Sequence, residues 1–126
     1  MKLNILSKKE TKELTKNVTP IENMTGYQAP YFEHLMKIQS WYRSHGLTTN
    51  DKQKDIVDKL ANLIGHKPLY HTRGEFYSAV WGFEWEGQRF ILYRSARGTS
   101  IEIDQKFKKD YLEKFLVEFS KLVNAN

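Results

Sequence analysis

The chain has 126 residues, 40% of them hydrophobic, enough for one compact core and too few for a second full domain. Lys and Arg number 20 against 15 Asp and Glu, and the formal charge of +5 is a moderate excess that favours anionic partners. Cysteine is absent, which excludes a disulfide framework, a thiol nucleophile and a cysteine-ligated zinc.

Met1 to Leu6 holds only a few apolar residues before Ser7-Lys8-Lys9-Glu10, too short for a secretory core or a bilayer span, so cytoplasmic residence without membrane association is expected. Ser7 with Glu10 makes a capping-box pattern for a short helix over about residues 8 to 17. Only Leu14 and Val18 anchor it, and Lys2, Lys8, Lys9, Lys12 and Lys16 crowd around it, so residues 1–28 read as a basic, loosely docked arm. Thr19-Pro20, Thr25-Gly26 and Pro30 mark an aperiodic connection.

From Pro30 to about Ser44, Tyr31, Leu35, Ile38 and Tyr42 form one helical stripe, broadened by Phe32, Met36 and Trp41. Gly46 ends that helix, and Thr48, Thr49 or Asn50 can cap the next. Its stripe of Ile56, Val57, Leu60, Ala61, Leu63 and Ile64 stops at Gly65. His71, Arg73 and Glu75 then alternate along a possible first strand.

Residues 76 to 103 read as a three-stranded meander. Glu86-Gly87 and Arg97-Gly98 sit where two-residue turns favour positive φ. The first turn pairs Trp85 with Gln88, Glu84 with Arg89, Phe83 with Phe90, Trp81 with Leu92, Val80 with Tyr93 and Ala79 with Arg94. The second sets Arg94 opposite Ile101, Tyr93 opposite Glu102 and Leu92 opposite Ile103. Both registers send Trp81, Phe83, Trp85, Phe90, Leu92, Ile101 and Ile103 to one face, a set that a one-residue slip would split. The other face carries Phe76, Ser78, Val80, Gly82, Glu84, Arg89, Ile91, Tyr93, Ser95, Arg97, Ser100 and Glu102. Either helices cover its apolar middle and leave a charged rim, or it is a binding surface.

After the sheet, Phe107, Tyr111, Leu112, Phe115, Leu116, Phe119, Leu122 and Val123 define an amphipathic helix over about 106 to 123 that can lie on the Trp81 and Phe90 face. The fold class expected is therefore α+β, with two or three N-terminal helices, a three-stranded antiparallel meander and a C-terminal helix on the sheet. Residues 29–126 form its single domain.

This element order is similar to a winged helix-turn-helix, at the level of architecture alone. The third helix mixes acids and bases where a recognition helix favours cations, and the would-be wing is too aromatic to stand in solvent. The four histidines show no metal-ligand spacing, and Glu102, Asp104 and Lys106 read as charges at a strand-to-helix junction, with Asp104 as a cap. No phosphate loop, nucleophile elbow or cofactor motif is present, so no metal or cofactor is expected.

Three functions fit. The leading one is a small, basic, non-enzymatic accessory protein that holds DNA or RNA through Lys8, Lys9, Lys12, Arg73, Arg89, Arg94 and Arg97, with Tyr93 as a stacking residue. The second is a protein-binding module or small inhibitor using Phe76, Val80, Ile91 and Tyr93. The third is a ribonuclease in which His71 or Glu75 acts as base and Arg73 stabilises the developing charge. Small toxin ribonucleases of the RelE type use basic and aromatic residues on a comparable sheet, although none of their motifs carries over.

Overall fold

The structure is a computed structural model, which describes residues 1–26, 28–48, 53–73 and 76–125; for 71–73, 76 and 77 it describes the backbone. At its centre is the meander read from the sequence: β4 (Phe76–Trp85), β5 (Gln88–Ser95) and β6 (Gly98–Asp104). The β4–β5 register is the predicted one, from Trp85 opposite Gln88 to Ala79 opposite Arg94. Glu86 and Gly87 both have positive φ, 49° and 77°, as a two-residue turn matching strand twist requires.

The second hairpin differs from its expected register by two residues. Ser95 pairs with Gly98, Arg94 with Thr99, Tyr93 with Ser100 and Leu92 with Ile101, so Ala96-Arg97 forms the turn. This register brings the Thr99 hydroxyl to Arg94 Nη1 at 3.1 Å, where the expected one would oppose the guanidinium with Ile101. A slip of two leaves every side chain on its predicted face, because sheet faces alternate with period two.

Three short strands enlarge the meander to six. β1 (Asn4–Ile5) and β3 (Leu69–Arg73) both pair with β4, and β2 (Val18–Pro20) pairs with β6, giving the order β1-β4-β5-β6-β2 with β3 on the outer edge of β4. The hairpin compared with a wing is thus the middle of a sheet.

One face carries the main core. α3 (Phe32–Ser44), α4 (Gln53–Ile64) and α5 (Leu112–Asn124) contribute Leu35, Ile38, Trp41, Ile56, Val57, Leu60, Phe115, Leu116 and Phe119 to a cluster with Trp81, Phe83, Trp85, Phe90, Leu92, Ile101 and Ile103. Phe90 lies 4.7 Å from Phe115 and 5.8 Å from Phe119, both edge to face, the arrangement ring quadrupoles favour. Leu63, expected in the helical stripe, is half exposed. A 3₁₀ turn, Lys109–Tyr111, precedes α5, which therefore begins later than the periodicity implied. Asp104 caps the preceding connection instead, its Oδ1 accepting from the Lys106 backbone N–H at 3.1 Å. Among the described residues no helix is long and apolar enough to cross a membrane. Thr49 and Asn50, offered as caps of α4, lie outside the described residues.

The second face is crossed by the N-terminal segment. α1 (Lys8–Leu14) starts at the capping box, with Ser7 Oγ accepting from the Glu10 N–H and Glu10 Oε1 from the Ser7 N–H, both at 3.1 Å. With β1 pinned to one edge of the sheet and β2 to the other, the segment expected as a loose arm is a strap. A 3₁₀ turn, Thr15–Asn17, leads from α1 into β2, and α2 (Ile21–Thr25) follows with Ile21 in the main core. Under α1, Leu6 and Leu14 pack on Val80 and Ile91, with Val18 and Tyr93 at the margin.

The strap comes closest at Gly82, whose carbonyl accepts from the Leu6 N–H at 2.9 Å. A Cβ there would lie 2.5 Å from Thr11 Oγ1, an approach that forces a shift, and 3.2 Å from Leu6 Cβ, tighter than ordinary contact. Gly82→Ala is therefore expected to lower stability by about 1–3 kcal/mol, the cost of overpacking. Thr11→Ala should restore part of the loss in the double variant, read as unfolding midpoints of the four proteins of the cycle.

Candidate nucleic-acid interface

Of the cations singled out in the sequence, two are committed to the fold. Arg94 is fully buried on the core side of β5. Its Nη1 donates to the Leu47 carbonyl and to Thr99 Oγ1, and its Nε to Gln53 Oε1 at 3.0 Å. These contacts tie β5 to the α3–α4 connection, the first turn of α4 and β6. Burial lowers the guanidinium pKa from its ordinary value. Arg94 is therefore not a phosphate contact, and it faces away from any site on the other side of the sheet. Arg94→Ala is expected to destabilise the protein by about 3 kcal/mol or more, since it strands buried polar partners and leaves a void; denaturant unfolding measures this.

Arg89 lies on the second face but is also occupied. Its Nε donates to Glu84 Oε2 at 2.8 Å and its Nη2 to Glu10 Oε2 at 2.9 Å, and these carboxylates, Glu84 first, raise its pKa. Hydrogen bonding by Ser7, led by its backbone, together with Arg89 holds the Glu10 carboxyl below its ordinary value. The Glu84 partner was readable as a cross-strand pair. Glu10 was not, because it is 79 positions away from Arg89 in sequence.

The Glu10–Arg89 bond also orients α1. At about 100° per residue, Glu10 and Glu13 share the flank toward Arg89, while Lys8 and Lys12, four apart, occupy the opposite flank. That second flank looks along the sheet toward Tyr93 and the β5–β6 turn. Lys8, Lys9, Lys12 and Lys16 are all exposed, and among the described residues none is in an ion pair.

The strap covers only half of the second face. Val80 and Ile91 beneath it are 1% and 2% exposed, so the apolar surface expected for a protein partner is closed there. Beyond the strap the face continues as rows of half-buried residues, referred to below as the trough. Tyr93, half-buried against the strap cluster, stands in the row Val80–Tyr93–Ser100. Ser78 and Ser95 lie two residues further along the same face, half-buried like Ser100. Exposed Arg97 stands at the end, in the turn, its backbone N–H donating to Ser95 Oγ at 3.2 Å. The serines were on the predicted face, but nothing in the sequence separated its open half from its covered half.

His71 and Arg73 pair in backbone register with Ser78 and Phe76, which puts them in second-face rows at the outer edge. Their side chains, the Phe76 side chain and all of Glu75 lie outside the described residues, so the ribonuclease candidates are not placed beyond that register. Arg94, once a possible companion to them, is on the other side.

Lys106 and Lys108 line a pocket of about 350 Å³ with Gly87, Arg89 and Asp104 at the opposite end of the sheet. Between that pocket and the lysine flank of α1 stand Glu10 and Glu13, which with Asp104 line a second pocket of about 250 Å³. Lys106 and Lys108 therefore belong to a mixed-charge surface, separate from the trough.

Glu102 borders the trough beside Ser100, half-buried. Desolvation raises its carboxyl pKa, with the charge of Glu22 adding and a hydrogen bond from Ser100 opposing. The folded state thus holds this proton more tightly than the unfolded chain. The stability it contributes is full below the unfolded carboxylate pKa and is lost as pH rises through the folded value. Glu102→Gln is expected to raise the melting temperature at pH 7 and to leave it nearly unchanged in acid, as paired thermal scans would register.

Comparison with protein-family models, curated proteins and solved structures finds no match to this chain.

Proposed function

We propose that this protein is a small nucleic-acid-binding accessory protein whose interface is the trough beside α1. The observation that carries the reading is the polarity of that helix. Its Glu10 is turned to Arg89, and Lys8, Lys9 and Lys12, exposed and in no ion pair among the described residues, stand beside the face that carries Tyr93 and ends at Arg97. Cations around a hydroxyl-lined, aromatic-bearing surface suit a phosphate backbone with sugars and bases beneath it. Of the eight residues first considered, Lys8, Lys9, Lys12, Tyr93 and Arg97 remain as contacts, Arg89 and Arg94 are given up to the fold, and the side chain of Arg73 lies outside the described residues.

Fluorescence anisotropy with labelled DNA and RNA tests this reading. Affinity should fall with salt, and Lys8→Glu, Lys12→Glu and Arg97→Glu together should abolish it at moderate salt. Single neutralisations should each lower the log–log salt slope by about one. Lys106→Glu with Lys108→Glu, an equal type of change on the other surface, should leave binding near its original level. Binding that ignores salt, or is lost equally in both sets, would defeat the assignment.

A further inference from the structure

We infer that the two adjoining pockets where α1 meets the ends of β5 and β6 form one groove for a small zwitterion whose ammonium and carboxylate are separated by a few carbons, the class of an ω-amino acid. The pockets, of about 350 and 250 Å³, share Arg89, Asp104 and Lys106 in their walls, and together they reach the size of a small-ligand site. The groove lies on the Glu10 flank of α1, away from Lys8 and Lys12, and does not depend on the nucleic-acid reading.

Its framework is fixed in advance. Four consecutive backbone N–H groups on the link from β6 to α5 each have an acceptor within the protein. Gln105 donates to the Asn17 carbonyl at 2.9 Å, Lys106 to Asp104 Oδ1 at 3.1 Å, Phe107 to the Asp104 carbonyl at 2.8 Å and Lys108 to Gln88 Oε1 at 2.8 Å. Gln88 and Phe107 are themselves buried. A connection bonded at every step holds the backbone of its lysines in place before a ligand arrives, which lowers the ordering cost of binding.

The charges around the groove are only partly used by the fold. Arg89 is engaged by Glu84 and Glu10. Among the described residues Glu13, Asp104, Lys106 and Lys108 are in no ion pair, although Asp104 and Lys106 line both pockets together. Opposite charges thus face a shared space without closing on each other.

Those remaining charges are also sorted along the groove. Glu13 lines the smaller pocket alone and gives it an excess of carboxylate, while Lys108 lines the larger one alone and gives it an excess of ammonium. A simple anion or cation is favoured at one end and opposed at the other. A zwitterion laid across Asp104 and Lys106, ammonium toward Glu13 and carboxylate toward Lys108, meets the opposite charge at both ends.

The test titrates the ¹⁵N-labelled full chain with 6-aminohexanoate, and with hexanoate and hexylammonium as singly charged counterparts, at pH 7 and constant ionic strength. The zwitterion should give saturable amide shifts at residues 104–108 and around Glu13, with a dissociation constant about fivefold below that of either counterpart, the worth of one more exposed charge pair. Lys108→Gln should bring it to the level of hexylammonium and Glu13→Gln to that of hexanoate, whereas Lys37→Gln, on α3, should change neither. The dispersion of each spectrum shows whether the variant is folded, and Lys108→Met or Glu13→Ala replaces one that is not. Absence of saturable shifts, shifts centred outside the groove, a counterpart that binds as tightly as the zwitterion, or binding unmoved by both substitutions overturns the inference. None of these outcomes bears on nucleic-acid binding, which the salt and charge-reversal measurements decide separately.

Discussion

Apolar residues on both faces of the meander oblige the sheet to be covered twice, and the closeness of the second cover is set at Gly82. The helices α3, α4 and α5 seal the aromatic side. The opposite side has a smaller apolar patch, Val80 and Ile91, and one short helix suffices for it. That helix settles onto the strands because β4 has no side chain where Thr11 and Leu6 press against it. Its ends are held independently, β1 on β4 and β2 on β6. A strap tied at both edges and seated in the middle is a fixed part of the fold.

The same strap sorts the charges. A surplus of Lys and Arg over the whole chain says little about where an anion would bind, because cations differ in what already holds them. Arg94 works inside the protein as a connector, joining four segments through carbonyl, amide and hydroxyl oxygens. Arg89 closes a three-membered ion network that anchors α1 to the sheet. The lysines of α1 face water on the side away from that network. Among the described residues, Lys8, Lys12 and Arg97 are exposed cations on the Tyr93 side, whereas the Lys106 and Lys108 end is balanced by Glu10, Glu13 and Asp104.

Much of the sheet was legible before any coordinates. Glu86-Gly87 demands positive φ at adjacent positions, and the alternation on either side leaves one register that keeps the aromatics together. The Arg97-Gly98 reading failed by two residues because a glycine can stand inside a turn or just after it, and the pairing of Arg94 with Thr99 chose between these. The capping box at Ser7 and Glu10 was equally local and equally readable. β1 and β2 were not: two and three residues long, they carry too little pattern to register as strands and owe their conformation to the edges they meet, whereas the alternation of His71 and Arg73 did mark β3.

The candidate interface divides along the same line. Tyr93, Arg97 and the serines could be assigned to one face from sequence, since strand parity depends only on neighbours in the chain. Which half of that face is open, which arginines are already engaged, and which lysines stand together followed from contacts between residues tens of positions apart, above all Glu10 with Arg89 and Thr11 with Gly82. Sequence by itself determined the elements, the faces and the main core, because those follow from local periodicity and turn chemistry. Only the tertiary structure decided which charged groups stay exposed, because long-range packing consumes some exposed-looking groups and leaves others in water.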